Sequence, residues 1–347
     1  MKQSSPDPWI LSLPKLDLHC HLEGAVRPET VWELSREQNI VLPFKAAADV
    51  ASLVSADGVC RNLVDYLQLF SPIMRCIQTA SALRRIAREA VEDAFACGVI
   101  YLEVRFAPQQ LLEKGLTLDS AVKAVIDGLA EGTLKTGTIA KLIVICMRHH
   151  SPALNDAVLE CASRYFGNGV CAIDFAGDEV SHPPLAQACL FEKASLLGIP
   201  FTIHAGESAG VESMKEALIL GAKRIGHGVR LCEDPNLLNY FVRHEIGMEL
   251  CPTSNIDTHA VEGWESYPIR DYLISGLKIT VNTDNPTISN TNMNLEYKVL
   301  HERFGFGEKE FKTLALNAIG ISFASHEEKE QLKNRIEHGY SRSLKTS

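Results

Sequence analysis

Leu16-Asp17-Leu18-His19-Cys20-His21-Leu22 reads as a short strand with two unlike faces. Alternate residues of a strand share a side. His19 and His21 therefore point one way, and Leu18, Cys20 and Leu22 the other. In a barrel wall that places the imidazoles inside and the apolar residues against covering helices. Seven more short runs follow, at 99–106, 140–148, 170–176, 201–205, 224–226, 247–251 and 277–282. Most are rich in Ile, Val, Leu or Phe and short enough for strands buried on both faces. Helical periodicity separates most of them. The run 80–96 carries Leu83, Ile86, Ala87, Ala90, Val91 and Ala94 at spacings of three and four, and 118–129, 184–197, 213–220 and 235–244 read similarly. Eight strands alternating with helices predict an α/β fold, a (β/α)8 barrel, with a doubly wound open sheet as the other candidate. The strand ends favour the barrel. They run into His19 and His21, Arg105, Arg148-His149-His150, Gly177-Asp178-Glu179, His204, His227, Thr253-Ser254-Asn255 and Asp284. Polar groups at the C-terminal ends of many strands mark the functional face of a barrel, whereas an open sheet gathers them at one switch point.

The composition agrees. The chain has 347 residues, room for two ordinary domains or one barrel with additions. We expect a single barrel domain over 1–347, with a helical lid inserted at about 24–98 and a helical tail after 290. Hydrophobic residues at 46% rule out a disordered chain, which cannot bury enough apolar surface to offset its entropy. A net charge of −9 disfavours a nucleic acid polymer or a membrane surface as partner. The longest apolar run in the strand-like stretches, 142–147, is far too short to span a bilayer. Ten cysteines are present without any C-x-x-C, and several lie in apolar segments, where reduced Cys behaves as a small hydrophobe. A soluble, cytoplasmic protein is expected.

Four motifs carry chemistry, each with a plain alternative. His19 and His21 suit a metal, because neutral imidazole is a favoured zinc ligand; alternatively one is a satisfied core residue and the other faces solvent. In His204-Ala205-Gly206-Glu207, the His can serve as a ligand and the Glu as a proton carrier, or Glu207 can simply favour a helix N-terminus. His227 lies between Gly226 and Gly228, which implies either a loose turn or close backbone approach. Asp284, before Asn285-Pro286, is a metal ligand or a turn residue. Their joint order is more specific than any one of them: H-x-H on the first strand, His on the fifth, His on the sixth and Asp on the eighth.

With this order, the chain resembles the adenosine deaminases along nearly its whole length. The resemblance rests on Pro14-Lys15-Leu16-Asp17-Leu18-His19-Cys20-His21-Leu22-Glu23-Gly24, Tyr101-Leu102-Glu103-Val104-Arg105-Phe106, Ile173-Asp174-Phe175-Ala176-Gly177-Asp178-Glu179, His204-Ala205-Gly206-Glu207, Ile225-Gly226-His227-Gly228, Cys251-Pro252-Thr253-Ser254-Asn255 and Asn282-Thr283-Asp284-Asn285. It implies one zinc ion held by His19, His21, His204 and Asp284, with Glu207 as proton carrier to purine N1 and His227 orienting or deprotonating the water. Gly177 would meet purine N3 through its N–H, and Asn285 would contact N7. The implied reaction is hydrolytic deamination of adenosine, and of 2′-deoxyadenosine, by zinc-activated hydroxide at C6. The segment 170–179 has no Lys of the kind that bridges two metals, so a mononuclear site is expected.

Two positions depart from the best-known members. Glu23 stands where many carry an Asp that meets the ribose 5′-hydroxyl, and Asn285 stands where many carry Asp. Asn can donate to N7 without a protonated carboxyl, so that change is benign. The Glu23 form is common among adenine deaminase relatives. Adenine, an N6-substituted AMP or aminodeoxyfutalosine are therefore the alternative substrates. A non-catalytic nucleoside- or metal-binding protein is a third reading, disfavoured because Glu207 and His227 are both present. Tyr66, Leu67 and Phe70 resemble the apolar helix that covers the ribose, or are lid core.

Overall fold

The computed structural model describes residues 5–43, 46–56, 60 and 63–343. Eight strands run in parallel: β1 Lys15–His21, β2 Val99–Phe106, β3 Ile139–Met147, β4 Val170–Ala176, β5 Ile203–Ala205, β6 Arg224–His227, β7 Gly247–Leu250 and β8 Lys278–Val281. They pair consecutively as β1 to β4 and as β5 to β8. Main-chain bonds close both seams. Ile173 N donates to Pro200 O and Thr202 N to Ile173 O, each at 3.1 Å, joining β4 to β5. Asp284 N donates to His19 O at 2.8 Å and His21 N to Asp284 O at 2.7 Å, joining β8 to β1. The result is a closed barrel rather than an open sheet, with no unpaired edge.

Apolar helices cover the outside, as the periodicity required. In Ala80–Ala96, Thr79 caps the first turn by accepting from Ala82 N at 3.2 Å, and Leu83, Ile86, Ala87 and Val91 are buried. This helix packs on Leu118–Thr136 and on β2, so it belongs to the outer layer rather than to the lid. The preceding helices Pro28–Glu37, Ala47–Val54, Leu63–Gln68 and Ser71–Cys76 form the insertion proper. Positions 44–45, 57–59 and 61–62 of the expected lid lie outside the described residues. The insertion is tied to the β7 and β8 ends. Ala56 N donates to Ile288 O at 2.7 Å, Tyr66 Oη pairs with Ser289 Oγ at 2.9 Å, and His259 Nε2 donates to Cys60 O at 3.0 Å.

The lower barrel interior is charged. Arg105 donates to Asp174 at 2.8 Å and to Glu249 at 2.7 Å, and Arg224 pairs with Glu249 and with Glu103 at 2.6 Å. All five side chains are buried. Such charges survive burial only when paired and hydrogen-bonded. Glu308–Ile321 packs on β1 and β8, and the chain beyond it closes the bottom. There Phe323 N donates to Glu103 at 2.7 Å and Arg224 stacks 3.8 Å from the Phe323 ring centroid. Among the described residues no helix is long and apolar enough to cross a membrane.

Candidate active site

Strand ends and the loops after them deliver the polar residues to the C-terminal mouth. Two of the floor histidines, His19 and His204, are oriented by carboxylates. His19 Nδ1 donates to Glu249 Oε2 at 2.7 Å, and His204 Nδ1 donates to Asp174 at 3.1 Å. Both rings therefore present a bare Nε2 to the centre. Carboxylate partners of this kind fix the tautomer and orientation of metal-binding imidazoles. Nε2 of His21 lies 3.2 Å from Nε2 of His204 and 3.4 Å from Asp284 Oδ1, and His19 Nε2 also lies 3.4 Å from Asp284 Oδ1. Ser254 Oγ donates to the other Asp284 oxygen at 2.6 Å, so Oδ1 is left to face the imidazoles.

A cation fits this cluster. His19 Nε2 and Asp284 Oδ1 are buried without a hydrogen-bond partner. Orphaned acceptors in a buried site are costly, and three imidazoles with one carboxylate form a donor set suited to zinc. Asp284 takes a left-handed φ of +58° and His227 of +61°, conformations that turn both side chains toward the cluster and that Asp and His tolerate better than most residues. The same crowding favours glycine at 226, since a Cβ there would lie 3.2 Å from both His19 Cε1 and His204 Cα. That settles the choice left open by the sequence for the glycine before His227 in favour of close approach.

Above the cluster is a cavity of about 1030 Å³. His21, His204 and Asp284 form its floor, and Glu207 and His227 its wall. The Glu207 carboxyl is pushed well above the ordinary carboxylate range, first by burial and then by the charges of Asp284 and Glu179. Its Oε2 lies 3.6 Å from His227 Nε2, and Thr258 Oγ1 donates to its Oε1 at 3.4 Å. His227 is held well below the ordinary imidazole range by burial and by the neighbouring His19. Asn255 donates its amide to His227 Nδ1 at 3.0 Å, and Tyr267 Oη donates to Asn255 Oδ1 at 3.0 Å. With the amide held this way, the imidazole hydrogen sits on Nε2, facing the cavity.

The remaining expected residues also reach the cavity. Gly177 lines it with φ +117°, a conformation only glycine adopts readily. Asn285 lines it too, its Oδ1 without a partner. Glu23 is buried in the wall, and its Oε1 accepts from Ala107 N at 3.0 Å. The longer side chain thus has an anchor of its own on the β2 end. Tyr66 is buried with its hydroxyl committed to Ser289, Phe70 is half-buried, and Leu67 is 45% exposed at the rim. The histidines left without a clear role at the end of β3, His149 and His150, line the cavity, as does His182. Sequence reasoning assigned no role to Glu249, Asp174, Ser254, Asn255 or Thr258. The available signal was a lone charge inside an apolar run, as at Glu249.

Comparison with known proteins agrees with this geometry. The family model described as adenosine deaminase matches residues 14–339. An adenosine deaminase of Clostridium acetobutylicum is 37% identical over 329 residues, covering 94% of this chain and 98% of that protein. The crystal structure of an adenine deaminase from Arthrobacter aurescens superposes with a TM-score of 0.88 at 28% identity, covering 96% of this chain and 99% of that one. A Burkholderia ambifaria amidohydrolase with bound Zn superposes with a TM-score of 0.88 at 25% identity, covering 97% and 93%. The chain belongs to the adenosine deaminase family.

Proposed function

We propose that this chain hydrolytically deaminates adenosine and 2′-deoxyadenosine, releasing ammonia. The observation that carries the reading is geometric: His19, His21, His204 and Asp284 converge at 3.2–3.4 Å, and the buried carboxyl of Glu207 stands beside them, 3.6 Å from His227 Nε2. His19, His21, His204 and Asp284 would hold zinc. Bound there, zinc supplies a Lewis acid that makes hydroxide available near neutral pH.

The protein's own groups complete the chemistry. Purine C6 is a weak electrophile, and protonating N1 withdraws electron density from it. Glu207, whose carboxyl burial pushes well above the ordinary carboxylate range, gives that proton. His227 is uncharged and carries its hydrogen on Nε2, so it orients the attacking water by donation. This favours the orienting role over that of base. The Gly177 N–H would meet N3, and the Asn285 amide would donate to N7. Tyr66 and Phe70 support an apolar cover over the ribose side, with Leu67 at its edge. The substrate is a small purine nucleoside.

Two measurements test the reading. Zinc-loaded protein should convert adenosine to inosine, read by the ultraviolet difference between them. Glu207→Gln should keep its metal and lose about a thousandfold in kcat, within the range for a lost general acid. Survival of activity in that variant would falsify the assignment of the proton carrier. Adenine is the second reading, favoured by Glu23. A kcat/KM series over adenosine, 2′-deoxyadenosine, adenine and N6-methyl-AMP decides between them, and adenosine is expected to lead.

A further inference from the structure

We propose that Glu179 is a positioning residue that holds the Glu207 loop and the Gly177 turn in register, so that one side chain sets the placement of both groups facing the pyrimidine ring of the purine. The proposal rests on the functional reading above. Its observation is independent of the metal cluster. Glu179 is buried at 3% exposure, on the turn after β4. Its carboxylate accepts from four consecutive main-chain amides of the turn after β5. Gly206 N donates to Oε1 at 2.5 Å, while Glu207 N, Ser208 N and Ala209 N donate to Oε2 at 3.1, 2.9 and 3.0 Å. Ser208 Oγ adds a longer contact at 3.4 Å.

Four amides converging on one carboxylate fix the path of the loop more firmly than any single bond does, and charge-assisted bonds of this kind are roughly twice as strong as neutral ones. The residue in the middle of that loop is the proposed proton carrier. Two residues before Glu179 on its own turn is Gly177, which lines the cavity and whose N–H is the group expected to meet N3. N1 and N3 belong to the same six-membered ring, so the groups that meet them need a fixed separation. Glu179 spans the two turns and provides it. A misplacement of about 1 Å can cost about a hundredfold in rate. Glu179 touches neither substrate nor metal ligand side chain in this scheme; it acts through the loop, and its charge adds to the upward push on the Glu207 carboxyl.

Glu179→Gln keeps the shape of the side chain but turns an NH2 toward amides that need an acceptor. It should lower kcat about a hundredfold while changing KM for adenosine less than about threefold and leaving metal content at the parental value. Glu179→Asp keeps the charge one methylene shorter and should recover at least about tenfold of that loss. Hydrogen exchange should quicken in peptides covering 205–210 of the Gln variant and stay unchanged in the metal-binding strand β1. Two results would overturn the proposal: kcat within threefold of the parent although exchange has quickened, or loss of kcat, metal and thermal stability together, which marks a residue that only holds the fold. Should Glu179→Gln not fold, the kcat against KM split of Glu179→Asp is read by the same criteria. A parent protein inactive on adenosine counts against the functional reading; an active parent with an indifferent Glu179→Gln counts against Glu179 alone.

Discussion

His227 has its tautomer set by a neighbour, which in turn is held by a third residue. Tyr267 fixes the Asn255 amide, and the amide leaves Nδ1 of the imidazole as acceptor. Asn255→Asp reverses this relay, since a carboxylate calls the hydrogen to Nδ1 and strips it from Nε2. We expect a fall of about a hundredfold in kcat with metal content unchanged, the size of a misassigned proton position. Glu23 carries a second consequence. Burial pushes its carboxyl up to about 7, against the pull of the Ala107 amide. If its carboxylate also accepts from a ribose hydroxyl, the ionised form is the one that binds. KM for adenosine should then fall as pH rises from 6 to 8, by up to about tenfold given the change in ionised fraction. Glu23→Gln should flatten that dependence. An adenine KM that varies with pH as the adenosine KM does would place Glu23 elsewhere than at the ribose.

The strands show what local pattern can and cannot reveal. Their number and order were legible because apolar runs alternate with amphipathic stretches, and the observed ends differ by a residue or two from those read off the chain. The convergence of His19, His204 and Asp284 was legible too, since each sits within or just beyond such a run. The groups that orient them were not. Glu249 stands in the middle of β7 and Asp174 in β4, each plainly out of place among apolar neighbours. Which imidazole each one grips depends on pairing across the barrel, and no local spacing encodes that. β7 therefore has more influence on the site than its lack of ligands suggests. Glu249→Gln leaves Arg105 and Arg224 short of a counter-charge and weakens the hold on His19. Zinc affinity should drop tenfold to a hundredfold, on the order seen when such partners are removed. Stability should fall by about 3 kcal/mol, because a buried charge is left uncompensated. Competition with a chelator and urea unfolding read the two effects separately.

The proposed ligand set draws on β1, on β5 and on the segment after β8, so a metal held there would bridge both halves of the barrel and reinforce the β1–β8 seam. Ligands that bind only the folded chain stabilise it in proportion to the logarithm of their excess over Kd, by about 4 kcal/mol at a thousandfold excess. Dialysis against a chelator should lower the melting temperature, and zinc should restore it. A melting curve indifferent to both would argue that the cluster holds no metal. The bottom of the barrel reaches the mouth through one relay. His19 lies on β1. Its orienting carboxylate is held by Arg224, and that guanidinium stacks on Phe323 and donates to Ile321 O at 3.3 Å, both close to the end of the described chain. Metal affinity at the mouth should therefore depend on residues 321–323 at the opposite end of the barrel, although none of them is near the ligands.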